Sequence, residues 1–148
     1  MADRTLVLVR HGKSDWSGDS ADRDRPLAPR GRRQAAEAGR WLAAHEPRLD
    51  LAIVSPATRA FQTWELVAAE LDDPPRARVE EAAYTFEGDD LLPLVRGVEG
   101  SVALVGHNPA LEELLALLTG EVRRMPTSCV AVVDLELGRL LHHGRPPS

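Results

Sequence analysis

A chain of 148 residues with 18 Lys+Arg against 23 Asp+Glu, net charge −5, has the length of one domain (about 100–150 residues) and lacks the basic field of a nucleic-acid or membrane-surface binder. Hydrophobic residues at 43% and charged residues at 28% exclude wholesale disorder, and a lone cysteine, Cys129, excludes an internal disulfide or a multi-cysteine zinc site. The first apolar run, residues 6–9, is too short for a signal peptide or a membrane span, so a soluble cytoplasmic domain covering residues 1–148 is expected.

In chain order, residues 6–9 (LVLV) read as a strand covered on both faces, running into Arg10-His11-Gly12. Residues 15–28 are polar and read as a surface loop over one end of a sheet. A helix is expected from Pro29 to about His45, with Ala35, Ala38, Gly39 and Leu42 on one face and Pro47 ending it. A second strand at residues 51–54 leads into Ser55-Pro56, an expected N-cap with proline at the first helical position. The helix from Pro56 to about Leu71 places Ala57, Ala60, Phe61, Trp64, Val67 and Leu71 on one stripe. A weaker helical pattern covers residues 89–98, with Pro93 inside it. A third strand at 102–105 leads into Gly106-His107-Asn108-Pro109, again an expected cap followed by proline, and a helix over 109–118 is closed by Gly120. Residues 129–137 alternate partly and read as an edge strand, open to antiparallel pairing. Alternating strands and helices predict an α/β fold: a single-domain three-layer α/β/α sandwich around a mostly parallel sheet.

Ligands of such sheets bind beyond the carboxyl ends of the strands. The three strand exits therefore bring Arg10 and His11, Arg59, and His107 with Asn108 toward one crevice beside helix N-termini. Two guanidinium forks and two imidazoles at one point describe a receptor for a compact dianion, phosphate above all. Singly, each residue has an ordinary alternative: Arg10-His11 as a solvated turn, Arg59 as a surface arginine, His107 as a packing residue. Their shared placement is what carries the reading.

The segments LVLVRHGKSDW, DRPLAPRGRRQA, SPATRAFQTWELV and VALVGHNPALEELL resemble the histidine phosphatase superfamily, also called phosphoglycerate mutase-like. The likeness is strongest to its short bacterial branch, the phosphohistidine phosphatase type, and runs from about residue 4 to residue 120, with a weaker echo in MPTSCVAVVDL. The resemblance implies a phosphoglycerate mutase-like fold and a hydrolase acting through phosphohistidine. In it His11 is the phosphate-accepting nucleophile, and Arg10, Arg59 and His107 bind the phosphoryl group.

Elementary chemistry agrees. A neutral imidazole is a competent nucleophile, and neighbouring guanidinium groups disfavour its protonation below the ordinary value of about 6.5. Phosphoryl transfer asks for in-line positioning and positive charge on the equatorial oxygens, which Arg10, Arg59 and His107 supply. With cations provided by side chains, no metal or other cofactor is required. The expected partner is a phosphorylated protein or a small phosphorylated molecule, not nucleic acid or membrane. For a leaving-group acid the family's position falls near Glu80 and Glu81, with Glu81 preferred of the two, although two carboxylates at a solvated strand end is the stronger reading of the pair; Asp15 is a further candidate. An imidazole leaving group needs such an acid less than an alkoxide does. Ser14 and Asn108 are secondary phosphate-donor candidates with equally good turn and cap roles. Trp16 is a candidate rim residue, while Trp41, Trp64, His45, His142 and His143 read as structural or surface residues.

Three other readings compete. Gly12-Lys13-Ser14 imitates the end of a P-loop, but Val7 stands where that motif needs glycine. A phosphoglycerate mutase-type phosphotransferase would need insertions to enclose a small substrate, for which little length remains. A non-catalytic phosphate-binding module would bind phosphopeptide without releasing phosphate.

Overall fold

Leu6 and Leu8 alternate with Val7 and Val9 along the first strand, yet all four are fully buried, which requires cover on both faces of the sheet. The computed structural model describes residues 4–45 and 48–146 and supplies that cover. Six strands form one sheet in the order β3-β2-β4-β1-β5-β6: β1 Thr5–Arg10, β2 Leu51–Val54, β3 Ala77–Val79, β4 Val102–Gly106, β5 Val130–Asp134 and β6 Arg139–Gly144. The first four are parallel; β5 runs antiparallel to β1, and β6 antiparallel to β5. Helices α1 (Pro29–His45) and α2 (Thr58–Ala69) cover one face, where Ala38, Leu42, Trp64 and Val67 pack with Val7, Val9, Val54 and Val105. Helices α3 (Gly88–Arg96) and α4 (Ala110–Thr119) cover the other, where Leu91, Leu111, Leu114 and Leu115 meet Leu6, Leu8, Ile53 and Leu104. Each such side chain contributes roughly 1.5–3 kcal/mol on burial. The architecture is the expected α/β/α sandwich.

Several local expectations are corrected. Residues 129–137 are not one edge strand. The Asp134 carboxylate accepts the N–H groups of Glu136 and Leu137, and this turn ends β5 and returns the chain as β6, so β5 lies inside the sheet. Both helices after Ser55-Pro56 and Asn108-Pro109 start later than expected. Ala57 and Pro109 are the N-caps and have no polar side chain to cap with; the Ser55 hydroxyl meets His107 and accepts the Ala57 N–H, and the Asn108 amide goes to Met125. Phe61 is 41% exposed, and Thr63 takes the buried place beside Trp64. Pro93 does lie inside a helix, and Gly120 closes α4 with φ +76 and its N–H on the Ala116 carbonyl. His45 and His142 both stack on Trp41, centroids 3.8 and 4.0 Å away; His45 remains an exposed surface residue, while His142 is partly covered. Pro47, the expected helix stop, lies outside the described residues. Among the described residues no helix is long and apolar enough to cross a membrane.

Candidate active site

Register decides which residues meet. β4 sits between β1 and β2, with Arg10 opposite Gly106 and Val54 opposite Val105. The next residues along the three strands, His11, Ser55 and His107, therefore leave the sheet side by side. His11 N–H donates to the Gly106 carbonyl (3.3 Å) and Ser55 N–H to that of Val105 (3.1 Å). The turn after β1 is held from two helices: Gly12 N–H donates to Thr63 Oγ1 (3.0 Å) on α2 and Lys13 N–H to Gln34 Oε1 (3.2 Å) on α1. The strand exits open into a cavity of about 480 Å³ lined by Arg10, His11, Arg59 and His107.

His11 is 7% exposed, and its Nδ1 lies 2.7 Å from the Gly12 carbonyl oxygen. A carbonyl only accepts, so a neutral ring bonded there carries its proton on Nδ1 and leaves the lone pair on Nε2. The pKa is lowered to about 3, first by burial and then by His107, Arg59 and Arg10, against a smaller opposing effect of the Gly12 bond. Burial, more than the arginines the sequence pointed to, keeps this imidazole neutral.

His107 is 6% exposed, its ring centroid 5.1 Å from that of His11, and its carbonyl receives the N–H of Leu111 in α4. Burial and then Arg59 lower its pKa to about 4, so the ring offers a hydrogen bond rather than a standing charge. Arg10 donates from Nη1 to the Met125 carbonyl (3.2 Å). Arg59 is 5% exposed and binds Asp22 twice, Nη1 to the backbone oxygen (2.6 Å) and Nη2 to the carboxylate (3.0 Å). Arg10 Nε, Arg59 Nε and His107 Nδ1 have no protein partner, although burying an unpaired polar group is costly. Such a group of nitrogens suits an incoming tetrahedral oxyanion.

Sequence reasoning missed Asp22, Arg25, Tyr84, Ser55 and Thr63. The segment read as a plain surface loop is tied down by a bridge between Ser14 and Leu27 and carries a 3-10 turn at Asp22–Asp24. The Asp22 carboxylate accepts from Arg59, Arg25 and Tyr84, which holds it ionised, well below the usual carboxylate range. Only Thr63 left a trace, since it lies four residues after Arg59 on the same helical face and donates to the Arg59 carbonyl.

The secondary expectations fare differently. Ser14 lines the cavity, but its hydroxyl oxygen is taken by Arg25. Asn108 also lines it, yet its amide group donates to Glu112 (3.1 Å) and the Met125 carbonyl (2.7 Å), so it is not turned to a phosphate. Glu81 does not reach the site. Its side chain is 71% exposed and paired with Arg23, whose hydrogen bond lowers its pKa, opposite to what an acid requires. Glu80 pairs with Arg78, and Asp15 accepts from Ser17; neither lines the cavity. Trp16 stands at the rim, 71% exposed, with the Arg25 guanidinium 3.5 Å from its ring centroid.

Comparison with known proteins gives a consistent picture. The family model of the histidine phosphatase superfamily (branch 1) matches residues 6–84. An uncharacterised protein of Mycobacterium tuberculosis is 38% identical over 139 residues, covering 84% of this chain and 85% of that one. A 2,3-bisphosphoglycerate-dependent phosphoglycerate mutase of a Bradyrhizobium species is 43% identical over 77 residues, 50% of this chain and 37% of the mutase. Among solved structures, a chain from Agrobacterium tumefaciens provisionally named phosphohistidine phosphatase SixA superposes with a TM-score of 0.88 at 28% identity, over 99% and 100% of the two chains. The protein histidine phosphatase SixA complexed with tungstate gives 0.80 at 26% identity, over 96% and 97%.

Proposed function

We infer that this chain, which belongs to the histidine phosphatase superfamily, is a phosphatase that hydrolyses phosphohistidine on a partner protein, ahead of phosphoesters, through a covalent phosphohistidine on His11. The observation that carries the reading is the His11 ring: Nδ1 tied to the Gly12 carbonyl, Nε2 left with its lone pair, two arginines and a second imidazole around it. Nε2 attacks phosphorus, the bond to the leaving group breaks in line, and the leaving atom departs with the electron pair. Arg10, Arg59 and His107 Nδ1 hold the three equatorial oxygens. Water then attacks the phosphohistidine, releasing phosphate and returning the lone pair to Nε2. The similar SixA chain is complexed with tungstate, a tetrahedral oxyanion, which is in keeping with a phosphate-binding role for this fold.

Substrate preference follows from the carboxylates. Among the described residues lining the cavity Asp22 alone carries one, and its bonds to two arginines and Tyr84 make it a poor proton donor. An alkoxide leaving group needs a proton from an acid in the site, whereas a phosphohistidine takes its proton from solvent on the ring's other nitrogen and leaves as neutral imidazole. Exposed Trp16 and Phe86 on the rim suit a side chain presented by a protein surface. We place residues 1–148 in the cytoplasm as one domain, in keeping with a single, free cysteine. Phosphate release from a phosphohistidine protein, phosphoserine and phosphotyrosine peptides and small phosphoesters, each with His11→Ala as blank, tests the reading. The expected order puts phosphohistidine first, with turnover abolished in the variant. Turnover surviving His11→Ala overturns the covalent route, and transfer to an alcohol in place of water points to a mutase.

A further inference from the structure

Ser55 and His107 leave adjacent strands and meet with Oγ 2.7 Å from Nε2. Ser55 is fully buried, and its oxygen already accepts the Ala57 N–H at 3.2 Å. A hydroxyl has one proton to give. Among the described residues His107 Nε2 is the one acceptor available to it, and no solvent reaches it. The reverse arrangement, Nε2–H donating to Oγ, would strand the hydroxyl proton and leave a bare Nδ1 lone pair, two unpaired buried groups, where the arrangement with Nδ1–H leaves one. A neutral ring that accepts at Nε2 carries its proton on Nδ1, the nitrogen without a protein partner.

We propose that Ser55 is a positioning residue: its hydroxyl caps His107 Nε2, fixes the Nδ1–H tautomer, and so assigns the two histidines their different tasks. His11 and His107 are both neutral and lie 5.1 Å apart, so each is chemically able to attack phosphorus. Their lone pairs have different fates. That of His11 on Nε2 is free, because the Gly12 carbonyl takes Nδ1–H; that of His107 is consumed by Ser55. His107 therefore meets the phosphoryl oxygens only with an N–H. An Nε2–H tautomer would present a lone pair to the same oxygens and repel them. The catalytic consequence rests on the phosphatase reading above, whereas the tautomer itself does not.

The test is long-range ¹H–¹⁵N NMR of histidine-labelled protein at pH 7, free and with inorganic phosphate, combined with steady-state kinetics. In the wild type His107 is expected to show Nδ1 protonated and Nε2 bare. Ser55→Ala should shift the proton toward Nε2 and lower kcat roughly 10–100-fold, the range for losing a group that orients an active imidazole. Ser55→Thr keeps the hydroxyl and should restore both. A wild-type His107 protonated on Nε2 overturns the proposal without any variant. So does an activity loss in Ser55→Ala with the tautomer unchanged, the mark of a structural role, or a shifted tautomer with kcat within threefold of wild type. Retained turnover in His11→Ala removes the phosphatase route and leaves the tautomer result standing.

Discussion

The Arg59 guanidinium is bound at both terminal nitrogens by Asp22, and its Nε has no partner. Asp22 thus orients a cation that in turn faces the cavity. Arg59→Ala should cost roughly 10²–10³ in turnover, the usual consequence of removing one oxyanion donor; a change below about tenfold in steady-state kinetics places Arg59 outside the clamp. The imidazoles make a second prediction at this scale. With pKa values near 3 for His11 and 4 for His107, neither ring should titrate near 6.5. Their ring C–H resonances are expected to stay flat from pH 8 to about 5, and a midpoint near 6.5 for either contradicts the burial that lowers them.

The turn after β1 is wedged against the start of α1. A β-carbon at Gly31 would stand 2.1 Å from the Lys13 carbonyl oxygen, and one at Gly12 would stand 2.5 Å from that of Gly31. Both obstacles are backbone and cannot rotate away. Gly31→Ala should therefore destabilise the fold by roughly 1–3 kcal/mol and lower activity as well, since the displaced turn carries His11; denaturant midpoints and kinetics on one preparation check both. Thr63→Val keeps the shape but removes the acceptor of the Gly12 N–H. It leaves a buried donor unpaired, at a cost of about 1–3 kcal/mol. Equal stability in Thr63→Val would show that this bond does not hold the turn.

For the whole molecule, burial of the two imidazoles links stability to pH. Unfolded, each takes a proton near 6.5; folded, only near 3 and 4. Unfolding therefore takes up protons below pH 6.5, so their contribution is complete above that value and declines as pH falls toward 4. Asp22, whose pKa is lowered from 3.8, loses its contribution only at more acid pH, so the two effects separate. Denaturant midpoints measured between pH 7.5 and 4.5 should fall in the wild type and fall less in a His11→Asn, His107→Asn protein. Identical slopes in the two would mean that the imidazoles are not the groups responsible.

The chain by itself determined β1, α1, β2, β4 and α4, because runs such as Leu6–Val9 and the stripe through Ala35, Ala38 and Leu42 are buried by neighbours of their own period. It also singled out His11, Arg10, Arg59 and His107, since residues just past the ends of parallel strands share one rim. The exposed three-residue β3 and the half-exposed β6 carry no such pattern, and neither was legible. Tertiary structure alone decided the fate of the short polar side chains. Ser55 and Asn108 fit a helix cap as well as a site, and only the pairing of β2 with β4 sends the Ser55 hydroxyl to His107, while Asn108 turns to Met125. Asp22 reaches Arg59 across 37 residues of chain, and Glu81 is drawn out to Arg23. Periodicity reports which face an element buries; a hydrogen bond between side chains distant in sequence depends on register and on the path of loops, and neither is encoded in local spacing.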